Sequence, residues 1–262
     1  MTPGATDVQD NWELLIHRGE PRDGLRFGAP PLAYVAPLSV PLRGRTDLAL
    51  VEAMPDVLLR DLSEGALDCA LLPVLDCVRV MRGRVIPGVG VCSRGASQAA
   101  ILRLRTTASE VQRIAFDPQT SGAVGLGQVI LAEQMGRAHQ FVACDGGLSC
   151  EENVDAALVT GGLPQPWADF GDAQIDLSAT WTALTGLPLV HALWLGRPGA
   201  PYPKLRQVIG LAARAVERED NEGPGAAPYF TVGSEEMQAA RILLQVAAHH
   251  GLCEAGVRIQ LC

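Results

Sequence analysis

The stretch DLSATWTALTGLPLVHALW, residues 176–194, decides how the chain is read. From Leu177 to Gly196 it contains no Asp, Glu, Lys or Arg, and an uncharged run of that length could cross a bilayer. Its details argue otherwise. Ser178, Thr180, Thr182, Thr185 and His191 spread polar groups along it, and Gly186-Leu187-Pro188 interrupts it in the middle. Glycine suits a helix stop, and a proline just beyond cannot continue the helix. The pattern therefore predicts a helix over Leu177–Leu184 and a buried strand over Leu187–Trp194, and no membrane span.

Outward from there, short apolar runs alternate with amphipathic stretches, the signature of an α/β protein. Strands are predicted at Leu25–Gly28, Leu48–Glu52, Asp68–Leu72, Ile86–Cys92, Ala100–Leu104, Gln112–Phe116, Gln140–Ala143 and Ala156–Thr160. Helices are predicted at Pro55–Glu64, Pro73–Met81, Ser121–Met135, Lys204–Arg218 and Ser234–His250. Pro55 and Pro73 suit a first helical turn, where a missing N–H costs nothing. Glu235 and Glu236 follow Ser234 at a positive helix end, and Gly251 suits a left-handed stop. Residues 1–23 read as a loose extension, with Trp12, Leu14, Leu15 and Ile16 able to pin it to the body. Arg197–Pro203 and Asn221–Pro228 are Gly/Pro-rich loops rather than linkers between independent domains.

With 262 residues, 48% hydrophobic and 19% charged, the chain can bury a sizeable core, and disorder or a coiled coil is excluded. The net charge is −8, and every basic residue but Lys204 is a scattered arginine, so no nucleic-acid surface is expected. The seven cysteines are odd in number and form no C-x-x-C. In a protein of this size they are expected as free thiols in a reducing compartment. The start, MTPGATDVQDNWELL, lacks a basic segment followed by an apolar run, so no secretory leader is expected and the cytoplasm is the expected location.

The usual chemical motifs are missing. His249 and His250 are adjacent and point to different sides of a helix, while His17, His139 and His191 are scattered and read as surface or core side chains. No metal site is expected. GVGVCSRG (88–95) has one G-x-G without the remaining dinucleotide spacing, GLGQV (125–129) falls inside a predicted helix, and no phosphate loop or G-x-S-x-G elbow occurs. What remains is small polar residues after strand ends: Cys92-Ser93-Arg94-Gly95-Ala96-Ser97, Asp117-Pro118-Gln119-Thr120-Ser121-Gly122 and Thr160-Gly161-Gly162. Singly, each reads as a turn or an N-cap. Together they stand where an open α/β sheet places a ligand crevice, and the helix start after Thr120 suits a carboxylate.

At this point the order of segments resembles the chorismate dehydratase family of the futalosine route to menaquinone, over about residues 24–262. Residues 176–194 are similar to that family's D-L-G-x-x-W-x-x-x-T-G-L-P-F-V-F-A-x-W, matching at Asp176, Leu177, Trp181, Thr185, Gly186, Leu187, Pro188, Val190, Ala192 and Trp194. ALDCALLPVLDCVRV (66–80) resembles G-x-x-D-x-x-x-x-P through Asp68 and Pro73. IPGVGVCSRGASQAAIL (86–102) resembles G-I-A-S-x-G-x-V-x-S-V through Ser93 and Gly95. Thr120-Ser121 match the Thr-Ser that opens the family's second-lobe helix, and AALV (156–159) matches the strand before its G-D-A-A-L turn. Three pocket positions depart from the pattern: an Asn falls on Tyr34, a Ser on Ala99 and an Asp on Gly162.

The resemblance implies a two-lobed α/β fold of the type II periplasmic-binding-protein kind, with a ligand cleft between lobes. Lobe one would comprise 24–98 plus 192–262 and lobe two 99–191, hinged near Ala99–Leu104 and Leu187–Trp194. It implies a cytoplasmic hydro-lyase that converts chorismate to 3-[(1-carboxyvinyl)oxy]benzoate and water, without a metal or redox cofactor. The expected partner is a small dicarboxylate. Tyr34 would touch the leaving hydroxyl, and Ser93, Gly95, Ser97, Thr120, Ser121, Gly161 and Gly162 would bind the substrate. The other reading is a cytosolic small-carboxylate binding protein or a related lyase with another substrate.

Overall fold

The computed structural model describes residues 24–144, 153–161, 167, 170–219 and 228–262. The expected N-terminal extension, and Gly162, lie outside the described residues. Two sheets form the frame. The first has the order β11-β4-β10-β3-β1-β2 and the second β7-β6-β8-β5-β9. The first contains β1 (Leu25–Ala29), β2 (Leu48–Glu52), β3 (Cys69–Pro73), β4 (Arg84–Ser93), β10 (Leu189–Gly196) and β11 (Tyr229–Val232). The second contains β5 (Ala100–Leu104), β6 (Arg113–Phe116), β7 (Gln140–Ala143), β8 (Ala156–Thr160) and β9 (Ala173–Asp176). The helices are α1 (Ala36–Ser39), α2 (Pro55–Ser63), α3 (Ser121–Met135), α4 (Leu177–Thr185), α5 (Tyr202–Glu219) and α6 (Ser234–His249).

In each sheet parallel pairs are followed by antiparallel ones. β1 pairs in parallel with β2 and β3, while β10 runs antiparallel to β3 and β4. β6 pairs in parallel with β7 and β8, while β5 runs antiparallel to β8 and β9. Every residue of β10 is buried, which is why this strand reads as a continuous apolar run. At the amino end of the first sheet, buried Asp68 accepts from the Arg26 N–H at 2.9 Å and pairs with Arg197 at 2.7 Å, tying β1, β3 and the end of β10. Among the described residues no helix is long and apolar enough to cross a membrane.

The chain passes between the sheets twice, at 94–99 and at 186–188, and the two crossings lie side by side. Asp176 organises them. One carboxylate oxygen accepts from Ala179 N–H at 2.9 Å and caps α4, and the other accepts from the Ser97 and Gln98 N–H groups at 3.0 and 2.9 Å. Thr182 accepts from the Gly95 N–H at 3.0 Å, and the Arg94 guanidinium donates to the Gly186 carbonyl at 3.1 Å. Gly186 ends α4 in the left-handed conformation, and the Trp181 indole donates to the Pro188 carbonyl at 3.0 Å. The Trp, Gly and Pro of residues 176–194 thus fix one turn.

The predicted helix Pro73–Met81 does not form. Pro73 closes β3 opposite Ala192, and the Val74 N–H donates to the His191 carbonyl at 3.0 Å, so the ladder holds the chain extended into the proposed first turn. Only isolated turns follow, and the β-branched Val74, Val78 and Val80 favour no alternative helix. The edge strands β9 and β11 and the short α1 were not expected. Cys69, Cys77, Cys92, Cys253 and Cys262 are free thiols, but Cys144 is disulfide-bonded. Size says only that the fold needs no disulfide; it does not forbid one.

Asp176→Ala should lower stability by about 2–4 kcal/mol, since it removes a cap and leaves the amides of the crossing without their acceptor. Asp176→Asn, which keeps one acceptor oxygen, should lose less. Urea midpoints for both variants test this; a loss for Asp176→Ala below ~1 kcal/mol would contradict the clasp.

Candidate functional site

Carboxyl ends of β1, β2 and β3 face those of β6 and β8 across a cavity of about 40 Å3. On one side it is lined by Tyr34, Met54, Pro73 and His191, and on the other by Ala99, Thr120, Gly122 and Thr160. That volume holds about three waters. The two sides touch at Gly122, in the first turn of α3, where a Cβ would come within 2.6 Å of the Pro73 ring. Only glycine permits this approach, so the Thr-Ser-Gly segment is fitted to the opposite sheet.

Tyr34 lies just before α1, whose two buried residues, Leu38 and Ser39, anchor the loop. Its hydroxyl makes no hydrogen bond among the described residues, and burial pushes the phenol above its ordinary range. Thr120 is buried, and its hydroxyl donates back to the Asp117 carbonyl at 2.8 Å. It does not cap α3, so the first-turn N–H groups of that helix keep no side-chain partner from it. Ser121 opens α3, and of its side chain nothing is described.

Ser93 stands behind the cavity wall. Its hydroxyl is 2.6 Å from His191 Nε2 and 2.5 Å from the Ser178 hydroxyl, and all three side chains are buried. Gly95 and Ser97 do not line the cavity; their N–H groups are bonded to Thr182 and Asp176, as described above. Gly161 also lies outside the lining. Its N–H donates to the Ala99 carbonyl at 2.9 Å, and a Cβ there would meet the Gln98 carbonyl oxygen at 2.7 Å. Of the expected binding residues, therefore, Tyr34 and Thr120 face the cavity, Ser93 supports its wall, and Gly95, Ser97 and Gly161 shape the crossing.

Two further lining residues stand outside the expected binding set, although Thr160 belongs to one of the three polar segments singled out from the sequence. Thr160 ends β8, and its hydroxyl is buried with no hydrogen-bond partner among the described residues. A buried hydroxyl left unpaired costs about 1–3 kcal/mol, which a ligand atom could recover. The other is His191, which sequence alone reads as a core or surface side chain. Burial pushes its imidazole down to about 4 against the opposing field of Asp176, so it is neutral at pH 7. Burial also pushes the thiols of Cys69, Cys77 and Cys92 up, leaving none as a nucleophile near neutrality.

The buried imidazole makes the protein acid-sensitive. In the unfolded chain it protonates below pH 6.5, whereas in the fold it stays neutral to about 4. Stability therefore falls as pH drops through this window, by up to about 3 kcal/mol from this group. His191→Gln should flatten that slope when urea midpoints are compared at pH 7.5 and 4.5. An unchanged slope would show that His191 is not the group responsible.

Comparison with solved structures shows the fold. Protein AF1704 from Archaeoglobus fulgidus aligns with a TM-score of 0.66 and 15% identity, over 88% of this chain and 98% of that one. The periplasmic aliphatic sulphonate binding protein SsuA from Escherichia coli aligns with a TM-score of 0.60 and 15% identity, over 91% and 96%. The alkanesulfonate-binding protein SsuA from Xanthomonas axonopodis pv. citri, bound to MOPS, aligns with a TM-score of 0.56 and 15% identity, over 92% and 98%. The architecture is thus the two-lobed α/β fold of periplasmic binding proteins. A family model described as menaquinone biosynthesis matches residues 25–249, and the chain belongs to that family.

Proposed function

We propose that the protein is a hydro-lyase of menaquinone biosynthesis, by the futalosine route, that dehydrates chorismate to 3-[(1-carboxyvinyl)oxy]benzoate. The observation that carries this reading is the unpartnered Thr160 hydroxyl in a cavity shared with the start of α3. A donor and a set of helix amides there suit a carboxylate. Membership of the menaquinone-biosynthesis family and the resemblance of the segments quoted above support chorismate as the substrate, and the polar groups of the cavity suit its carboxylates.

The hydroxyl at ring carbon 4 leaves with the hydrogen at carbon 3, and the ring becomes aromatic. Aromatisation drives the reaction, so the protein has mainly to hold a dicarboxylate in one pose and exclude water. Thr160 donates to one carboxylate, the α3 amides hold the other, Thr120 fixes that helix start through its bonds to the Asp117 carbonyl, and Tyr34 meets the leaving hydroxyl. Ser93 supports the pocket wall, and Gly95, Ser97 and Gly161 shape the crossing beside it. The chemistry assigned to these residues draws on no metal or redox cofactor, and the cytoplasm is the proposed location.

A cavity of about 40 Å3 is much smaller than a ten-carbon dicarboxylate. Binding therefore requires Tyr34 to rotate or the lobes to part. The proposed lobes are 24–98 with 192–262, and 99–191. They hinge at the two crossings, with β10 joining the first sheet already at Leu189.

Incubation of the purified protein with chorismate, followed by chromatography with ultraviolet detection, should show the enolpyruvyl-benzoate above the control without protein. Unchanged chorismate would overturn the reading and favour a carboxylate-binding role. Thr160→Val, nearly isosteric, should weaken chorismate binding at least tenfold, the equivalent of one charge-assisted hydrogen bond of about 1.5–3 kcal/mol. Thr120→Val should cost less, because that hydroxyl is already committed to Asp117. Equal affinity for wild type and Thr160→Val in calorimetric titration would remove Thr160 from the site.

A further inference from the structure

We propose that His191 is a carboxylate-binding residue of this cavity, donating from Nδ1–H, with Ser93 and Ser178 as the positioning residues that fix which ring nitrogen carries the hydrogen. The proposal rests on the dehydration reading and adds to it a further uncharged donor; the ring moves no proton.

The direction of one hydrogen-bond chain carries the inference. Nε2 of His191 is 2.6 Å from the Ser93 hydroxyl, which is 2.5 Å from the Ser178 hydroxyl, and all three side chains are buried. Burial keeps the ring neutral at pH 7, so one nitrogen carries a hydrogen and the other a lone pair. The chain can then run in either direction. If Nε2–H donates to Ser93 and Ser93 to Ser178, the Ser178 hydrogen has no acceptor among the described residues. If Ser178 donates to Ser93 and Ser93 to Nε2, both hydroxyl hydrogens are used, and only lone pairs stay idle. A buried donor without an acceptor is the costlier defect, because an oxygen tolerates an unused lone pair. The second direction therefore holds, and it puts the ring hydrogen on Nδ1.

That hydrogen faces the ligand space. The β10–β4 register shifts between Val190 and Ala192, which makes His191 the extra residue of a bulge, and a bulge re-aims a side chain. Here the ring enters the cavity wall, its centroid 6.2 Å from that of Tyr34. Nδ1 has no protein partner among the described residues and keeps surface open on the cavity side. Among the described residues no Arg, Lys, Asp or Glu lines the cavity. A dicarboxylate there is held by uncharged donors, and each carboxylate offers about four lone-pair sites. Thr160 and the α3 amides leave some of those sites open, and the Nδ1–H fills one. A hydrogen bond to a charged acceptor is stronger than one between neutral groups, so a single ring N–H is a substantial part of the hold on the ligand.

The test has two readouts on the full chain, with folding of each variant checked by circular dichroism and thermal melting. Nitrogen NMR of protein labelled in its histidine rings, with the His191 signals identified by their loss in His191→Gln, reads which nitrogen bears the hydrogen near neutral pH. The expected result is Nδ1–H with a bare Nε2; a ring protonated at Nε2 instead overturns the proposal. Ser93→Ala releases Nε2, so Nε2–H should appear beside Nδ1–H, and a spectrum unchanged by that substitution overturns the positioning role. Saturation with 3-[(1-carboxyvinyl)oxy]benzoate should move the Nδ1 proton signal downfield, and an unmoved signal overturns the proposal whether or not the variants fold. Calorimetric titration with the same ligand should show His191→Phe binding at least about tenfold more weakly, as for one lost hydrogen bond to a charged acceptor. His191→Gln, whose amide can accept from Ser93 and donate to the ligand, should recover most of that loss. Affinity within about twofold of wild type in a folded His191→Phe overturns the donor role and leaves the dehydratase reading standing. A wild type that neither binds this ligand nor removes water from chorismate overturns both.

Discussion

The carboxylate of Asp176 is the constraint on which the rest of the structure depends. A binding-protein fold needs its two chain crossings to run together, because only then do the lobes share one hinge. Here one side chain accepts from Ala179, Ser97 and Gln98, so the cap of a helix is also the clasp of the crossing. The side chain is half-buried, where hydrogen bonds to a charged acceptor are worth more than in water. Beyond the second crossing β10 runs beside β4, and its register brings His191 next to Tyr34.

The cavity owes its shape to close packing more than to polar groups. Pro73 touches Gly122 across the interface, and Tyr34 fills space from the first lobe. Its few polar atoms are hence conspicuous. The Thr160 hydroxyl has no partner among the described residues, and the Ser178–Ser93–His191 chain ends at the wall. Buried polar groups left open in a dry, well-packed place are costly, and proteins retain them chiefly where a ligand completes them.

Much of the frame was legible from local pattern. The alternation of apolar runs gave the strands of both sheets apart from one edge strand in each, β11 and β9. Gly186 and Pro188 correctly separated α4 from β10, because a helix stop and a helix breaker are local chemistry. The four-residue strands β9 and β11 lie at sheet edges and have too little periodicity to register. Residues 73–81 carried a helical pattern, but pairing of Pro73 with Ala192 outweighed it. The site was less legible. Thr120 stands at a helix start and signals itself, whereas Thr160 is one threonine at a strand end. His191 meets Ser93 from 98 positions away, through a bulge that no local spacing announces.

The most direct measurement is a crystal structure with 3-[(1-carboxyvinyl)oxy]benzoate bound. The account predicts the ligand between the lobes, a carboxylate oxygen accepting from Thr160 Oγ1, and the second carboxylate at the first turn of α3. A ligand bound outside this cleft, or one inside it with Thr160 still unpartnered, would contradict it.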